Sequence, residues 1–172
     1  MTSINFIKLK NVQSFLSNVD EEIDKKHIKK FIYTQIQSQN MALDNHSQIH
    51  YTYIPKINAY QISVIDTDKK NIVLEPFVLD TLYVEGKNHT ADLYLCEDFF
   101  AYYEYGSLVF FKEINSQSDK NDIVKYVNQT FNVTVNNIIT VDNLTFENYK
   151  KEYELKGDDF PKYKYISKHS NR

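Results

Sequence analysis

The sequence predicts an α+β fold in two small lobes: strand–helix–strand–strand, followed by a three-stranded meander, helix, strand and helix. Three observations lead there. Residues 91–114, ADLYLCEDFFAYYEYGSLVFFKEI, are the most apolar stretch and read as three consecutive strands. Two other stretches carry apolar residues at helical spacing. A change of character between about Asp66 and Ala91 separates the two runs of elements, and the expected lobes are residues 1–75 and 76–156 with a basic tail over 157–172.

Taken in order, Ile4 to Leu9 is a short candidate strand. Ser17 or Asn18 can cap a helix whose positive end is met by Asp20, Glu21 and Glu22. From Asp20 to about Gln39, Ile23, Ile28, Phe31, Ile32 and Ile36 make one buried stripe, while Lys25, Lys26, Lys29 and Lys30 fill the opposite face. Gln48–Ile54 and Ala59–Asp66 read as strands joined through Pro55, followed by a polar loop to Asn71 and a short strand at Ile72–Leu74. The segment PFVLDTLYV from Pro76 fits no single pattern. In the meander, Ala91, Leu93 and Leu95 alternate with Asp92, Tyr94 and Cys96, Glu97-Asp98 makes a tight turn, and Gly106 supplies the positive φ of a hairpin. Ser118 or Asp119 caps a second helix with Ile123, Val124, Val127 and Phe131 inward. Asn137–Asp142 is a strand, and Thr145 caps a shorter third helix.

Composition excludes more than it assigns. With 172 residues, 42% of them hydrophobic, the chain can bury a core. The net charge is −3 and the sole arginine is Arg172, so the fork that reads phosphates and guanine edges is missing and nucleic acid is not an expected partner. No run of ~18 apolar residues occurs, and MTSINFIKLK lacks the apolar core of a secretory signal, so a cytoplasmic location is expected. A single cysteine, Cys96, excludes an internal disulfide framework, and its place in a strand favours a packed core thiol.

Candidate chemistry is sparse. A loop that cradles phosphate needs glycines so that backbone amides can close on the anion; Gly86, Gly106 and Gly157 are widely separated. His46 and His50 have i, i+4 spacing, but LDNHSQIHYTY runs from loop into strand and offers no third ligand. Asp66-x-Asp68 is explained by turn chemistry. No catalytic residue, cofactor or metal is expected. The residues expected to meet a protein partner are Tyr102, Tyr103 and Tyr105 on the meander, with Lys25, Lys26, Lys29 and Lys30 on the first helix; alternation requires that at least one of the tyrosines be core. The tail from Lys162 to Arg172 has four basic and no acidic residues, as a segment beside a membrane span on its cytoplasmic side would.

The order over 91–155, three antiparallel strands then helix, strand and helix, resembles a ribonuclease-H-like half-domain of the kind that actin-like proteins use. The earlier strand–helix–strand–strand order is similar to the small inserted subdomain of the cell-division and pilus-assembly branch of that superfamily. With the basic tail, the chain resembles a shortened cytoplasmic domain of the type II secretion L protein or PilM pilus-assembly family. Nucleotide-binding members carry Asp-x-Gly phosphate loops at the start of each half; the matching place here, Ala91-Asp92-Leu93-Tyr94, has no glycine. The resemblance therefore implies a domain that has lost ATP binding. As a scaffold it would dock an assembly ATPase to inner-membrane components of a secretion, pilus or DNA-uptake machine. Two other readings stay open. One is a stand-alone immunity- or inhibitor-type protein that presents surface tyrosines. The other is an enzyme whose site gathers His46 or His50 with Asp66 or Asp68.

Overall fold

The computed structural model describes residues 3–83, 90–115, 117–157, 160 and 163–167. Gly86 and the tail residues 162 and 168–172 lie outside them. The chain divides into two units, but not consecutively: one takes the N-terminus to Lys10 and Lys70 to Phe160, the other Asn11 to Lys69 and Tyr163 to Ser167. In place of one boundary at 75/76 the chain crosses between the units three times, near residues 10, 70 and 162, so the smaller unit joins a stretch inserted in the sequence of the larger one to the C-terminal residues.

The smaller unit contains β2 (Val12–Asn18), α1 (Ile28–Ser38), β3 (Ser47–Ile54), β4 (Ala59–Asp66) and β10 (Ile166–Ser167), following β1 (Asn5–Ile7) of the larger unit. Its sheet has the order β10-β3-β4-β2 and every neighbour is antiparallel. Ile28, Ile32 and Ile36 recur every four residues on α1 and close over Ile49, Tyr60, Ile62, Val64 and Ile166. The first helix is eight residues shorter at its start than expected. Ser17 and Asn18, read as caps, belong to β2, and the residues between β2 and α1 are irregular, with the Ile23 N–H donated to the Tyr60 hydroxyl at 2.9 Å. Asn58 takes a left-handed φ of 47° and turns the chain from β3 to β4 after Pro55–Ile57.

The larger unit pairs β1 in parallel with β5 (Ile72–Leu74). Its main sheet is built from β6 (Ala91–Leu95), β7 (Phe99–Glu104), β8 (Ser107–Glu113) and β9 (Asn137–Thr140), in the order β8-β7-β6-β9. β9 returns parallel to β6 after the crossover that contains α2 (Lys120–Phe131), and α3 (Asn143–Lys156) follows. The sheet thus runs third, second, first, fourth, with the fourth strand parallel to the first. The fold class is α+β, as expected, with a four-stranded sheet in each of the two units.

The meander is buried on both faces, not on one. Phe100 and Tyr102 of β7 and Phe110 of β8 meet Tyr126 and Phe131 of α2. On the other face the segment Glu75–Tyr83, a 3-10 helix, places Phe77 against Phe111 and Tyr83 flat on Tyr103, while Phe99 meets Phe146 of α3. That 3-10 segment is the stretch that fitted no pattern in the sequence. Asp119 caps α2 by accepting from the Asn121 N–H. At α3 the cap is Asp142, which accepts from the Thr145 N–H, so Thr145 is the donor and not the cap.

Candidate protein-docking surface

β8 ends the order of its sheet and carries no strand on its outer side among the described residues. Its first half is irregular: Tyr103 pairs with Leu108 and Tyr102 with Phe110, which leaves Val109 as the extra residue of a bulge. From Phe110 onward the ladder is regular. The Ile114 N–H donates to the Asp98 carbonyl at 2.9 Å, so by antiparallel alternation Ile114 faces β7 and Glu113 directs its N–H and C=O to the open side. Beside this edge lies a groove of about 340 Å³. Phe100, Ile123 and Tyr126 make its floor, and Lys112, Glu113, Ile114 and the start of α2 its rim. An edge flanked by an apolar groove is suited to receive a partner strand and one of its side chains.

The expected contact residues separate sharply. Tyr102 and Tyr103 are fully buried. Tyr102 donates to Glu104 and packs on Phe131; Tyr103 donates to Asp80 at 2.6 Å and stacks with Tyr83. Both are corrected from surface contacts to core residues, because the sheet is covered on its two sides. Only Tyr105 is outside, 79% exposed at the hairpin tip. The tyrosine face on which the inhibitor reading relied is therefore reduced to one residue. Lys25, Lys26, Lys29 and Lys30 are all exposed, as expected, but Lys25 and Lys26 lie in the turn before α1 and do not extend a helical stripe.

Asp92 occupies the place that the family resemblance matches to a phosphate loop. The residue is 1% exposed. One carboxylate oxygen accepts from the Tyr83 hydroxyl at 2.7 Å and the other from the Asn137 side-chain amide at 2.8 Å. The Tyr83 and Tyr94 hydroxyls are 2.6 Å apart, and burial pushes the pKa of Tyr83 well up and that of Tyr94 up to about 12. The acid is thus an acceptor at the centre of a tyrosine cluster. Tyr83 had no marker in the sequence, since it stands at the end of the unassigned segment.

Other candidates are placed as follows. Cys96 is buried and its thiol is pushed up to about 12 by burial, with Glu75 and Asp98 adding to it. Near it, Glu75 pairs with Lys150 at 2.7 Å. His46 is exposed in a turn, whereas His50 is buried on β3 against the rings of Tyr163 and Tyr165. Burial lowers the His50 pKa to about 4. The two histidines are not on a shared helical face, and Asp66 and Asp68 are exposed at the end of β4 and beyond it. Among the described residues no cluster of three or more His, Cys, Asp or Glu is placed to hold a metal ion. Tyr163, Ile166 and Ser167 of the expected basic tail are part of the smaller unit's packing, with β10 paired to β3.

No family model and no curated protein matches the chain. Among solved structures, the chain is similar to a Bacteroides thetaiotaomicron protein with an actin-like ATPase fold and unknown function, at 15% identity and a TM-score of 0.45. The match covers 88% of this chain and 65% of that protein, so the chain spans less than two thirds of its length. Among the described residues no helix is long and apolar enough to cross a membrane.

Proposed function

We propose that the chain is a non-catalytic docking domain: a scaffold that links an assembly ATPase to inner-membrane components of a type II secretion, type IV pilus or DNA-uptake machine. The observation that carries the docking part is the open edge of β8 running beside an apolar groove. The use of Asp92 as an internal hydrogen-bond acceptor supports the non-catalytic part, because a carboxylate engaged by Tyr83 and Asn137 is not presented to a phosphate or a metal ion. The kind of machine is proposed from the order of elements, a strand–helix–strand–strand insertion within a ribonuclease-H-like unit.

The test is calorimetry of the chain with a cognate secretion-type ATPase. Binding with a dissociation constant of tens of micromolar or tighter is expected, a range typical of transient assembly contacts at roughly −6 kcal/mol or beyond. Magnesium ATP titrated into the chain alone gives no heat of binding. No association at ~100 µM, or ATP binding that depends on Asp92, overturns the proposal.

A further inference from the structure

We infer that the groove beside β8 takes an extended segment of a partner protein with one aromatic or branched aliphatic side chain and a lysine or arginine two residues to either side. The inference rests on the docking reading above and specifies the chemistry of the partner. Asp119, Asp122, Ile123 and Tyr126 follow one another at helical spacing, so α2 turns a single stripe toward the groove. The inner half of that stripe, Ile123 and Tyr126, joins Phe100 as an apolar floor; the outer half is two carboxylates. Glu113 also lines the groove, but by alternation with Lys112 its side chain lies on the opposite face of the sheet, with Phe99 and Phe111. Lys112, the one cation that lines the groove among the described residues, lies over the Tyr126 ring at 5.1 Å.

Two carboxylates, Asp119 and Asp122, against one ammonium make the rim net negative. Asp119 accepts from the Asn121 N–H at 2.7 Å. In a strand added to β8, residues i and i±2 share a face and are separated by about 7 Å. An apolar residue over the floor therefore carries its i±2 neighbours to the rim. Basic residues there meet the carboxylates, and acidic ones are repelled. A nucleic acid, with its phosphates, is excluded by the same charge.

The probes are three extended peptides: Thr-Lys-Thr-Phe-Thr-Lys-Thr, its counterpart with glutamate for lysine, and its counterpart with alanine for phenylalanine. Each is titrated into the full chain labelled with nitrogen-15. The first is expected to shift the amides of Glu113 and Ile114, with the other two at least roughly tenfold weaker. Asp122→Lys is expected to weaken the lysine peptide and strengthen the glutamate peptide, a reversal that misfolding cannot produce. Equal binding of the lysine and glutamate peptides, no shifts at ~1 mM, or a charge preference unchanged in Asp122→Lys overturns the inference. An ATPase that binds the native chain and Asp122→Lys equally removes this inference alone. Peptide selectivity without any ATPase binding removes the scaffold reading alone.

Discussion

Replacing Asp92 by asparagine separates a structural carboxylate from a catalytic one. Asp92 is held by the Tyr83 hydroxyl at 2.7 Å and the Asn137 amide at 2.8 Å, and a hydrogen bond to a charged group contributes ~1.5–3 kcal/mol. Loss of the charge does not forfeit both. Asparagine keeps one acceptor oxygen, Tyr83 retains the Tyr94 hydroxyl, and Asn137 stands at an exposed position where water can replace the lost partner. Asp92→Asn should therefore destabilise by about 2 kcal/mol, or roughly 4–8 °C in Tm for a chain of this size. Tyr83→Phe keeps the stack on Tyr103 and should cost about 1 kcal/mol. In the double variant the two effects should fall short of their sum, since both remove the same bond. Thermal unfolding followed by circular dichroism reads all three. Had the acid been kept for chemistry at a cost to the fold, its replacement would leave stability unchanged or raise it; that outcome refutes the argument.

Other consequences follow from single groups. His50 has a folded pKa of about 4 against an ordinary 6.5, so the unfolded chain binds its proton first. Its contribution is complete above pH 6.5 and is lost as pH falls through that value toward 4, at up to ~1.4 kcal/mol per pH unit. Urea unfolding across that window should show the slope, and His50→Leu should flatten it. Gly106 has φ +79° and an added Cβ would lie 3.4 Å from Cδ1 of Tyr83, so Gly106→Ala should cost ~1–2 kcal/mol in the same assay. Ile32 is fully buried under α1, and Ile32→Ala should cost ~2–5 kcal/mol, read by unfolding of the smaller unit. Cys96 should resist a disulfide reagent in the native chain and react at once in denaturant, because both burial and its pKa of about 12 withhold the thiolate.

The meander, the hairpin at residues 47–66, α2 and β9 were legible because each rests on a local signal: alternation, a turn residue or a capping aspartate. What escaped was decided by tertiary contacts. β2 reads VQSFLSN, with Phe15 and Leu16 adjacent and a buried Ser17, and it becomes a strand by pairing along its whole length with β4. The acidic run after it imitates a helix start, although α1 begins only at Ile28, after His27, with no side-chain cap. The 3-10 segment from Glu75 has no usable period either; its buried run is set by the second face of the meander, and with it the burial of Tyr103 and the role of Tyr83.

The groove was invisible for a related reason, since Phe100, Lys112 and Asp122 come together only once β8 and α2 are docked. Glycine scarcity, by contrast, carried a more limited message than its rarity suggests. Asn40, Asn58, Asn71 and Asn132 hold left-handed φ values of 47–58°, and Tyr105 joins them at 50°. Asparagine thus closes the ends of helices and the turns between strands where glycine is usual. It cannot replace glycine where a ligand must touch the backbone, because its side chain occupies that space. The shortage of glycine leaves the chain free to turn and bears only on sites that need bare backbone, which is the property a strand edge with a side-chain groove does not require.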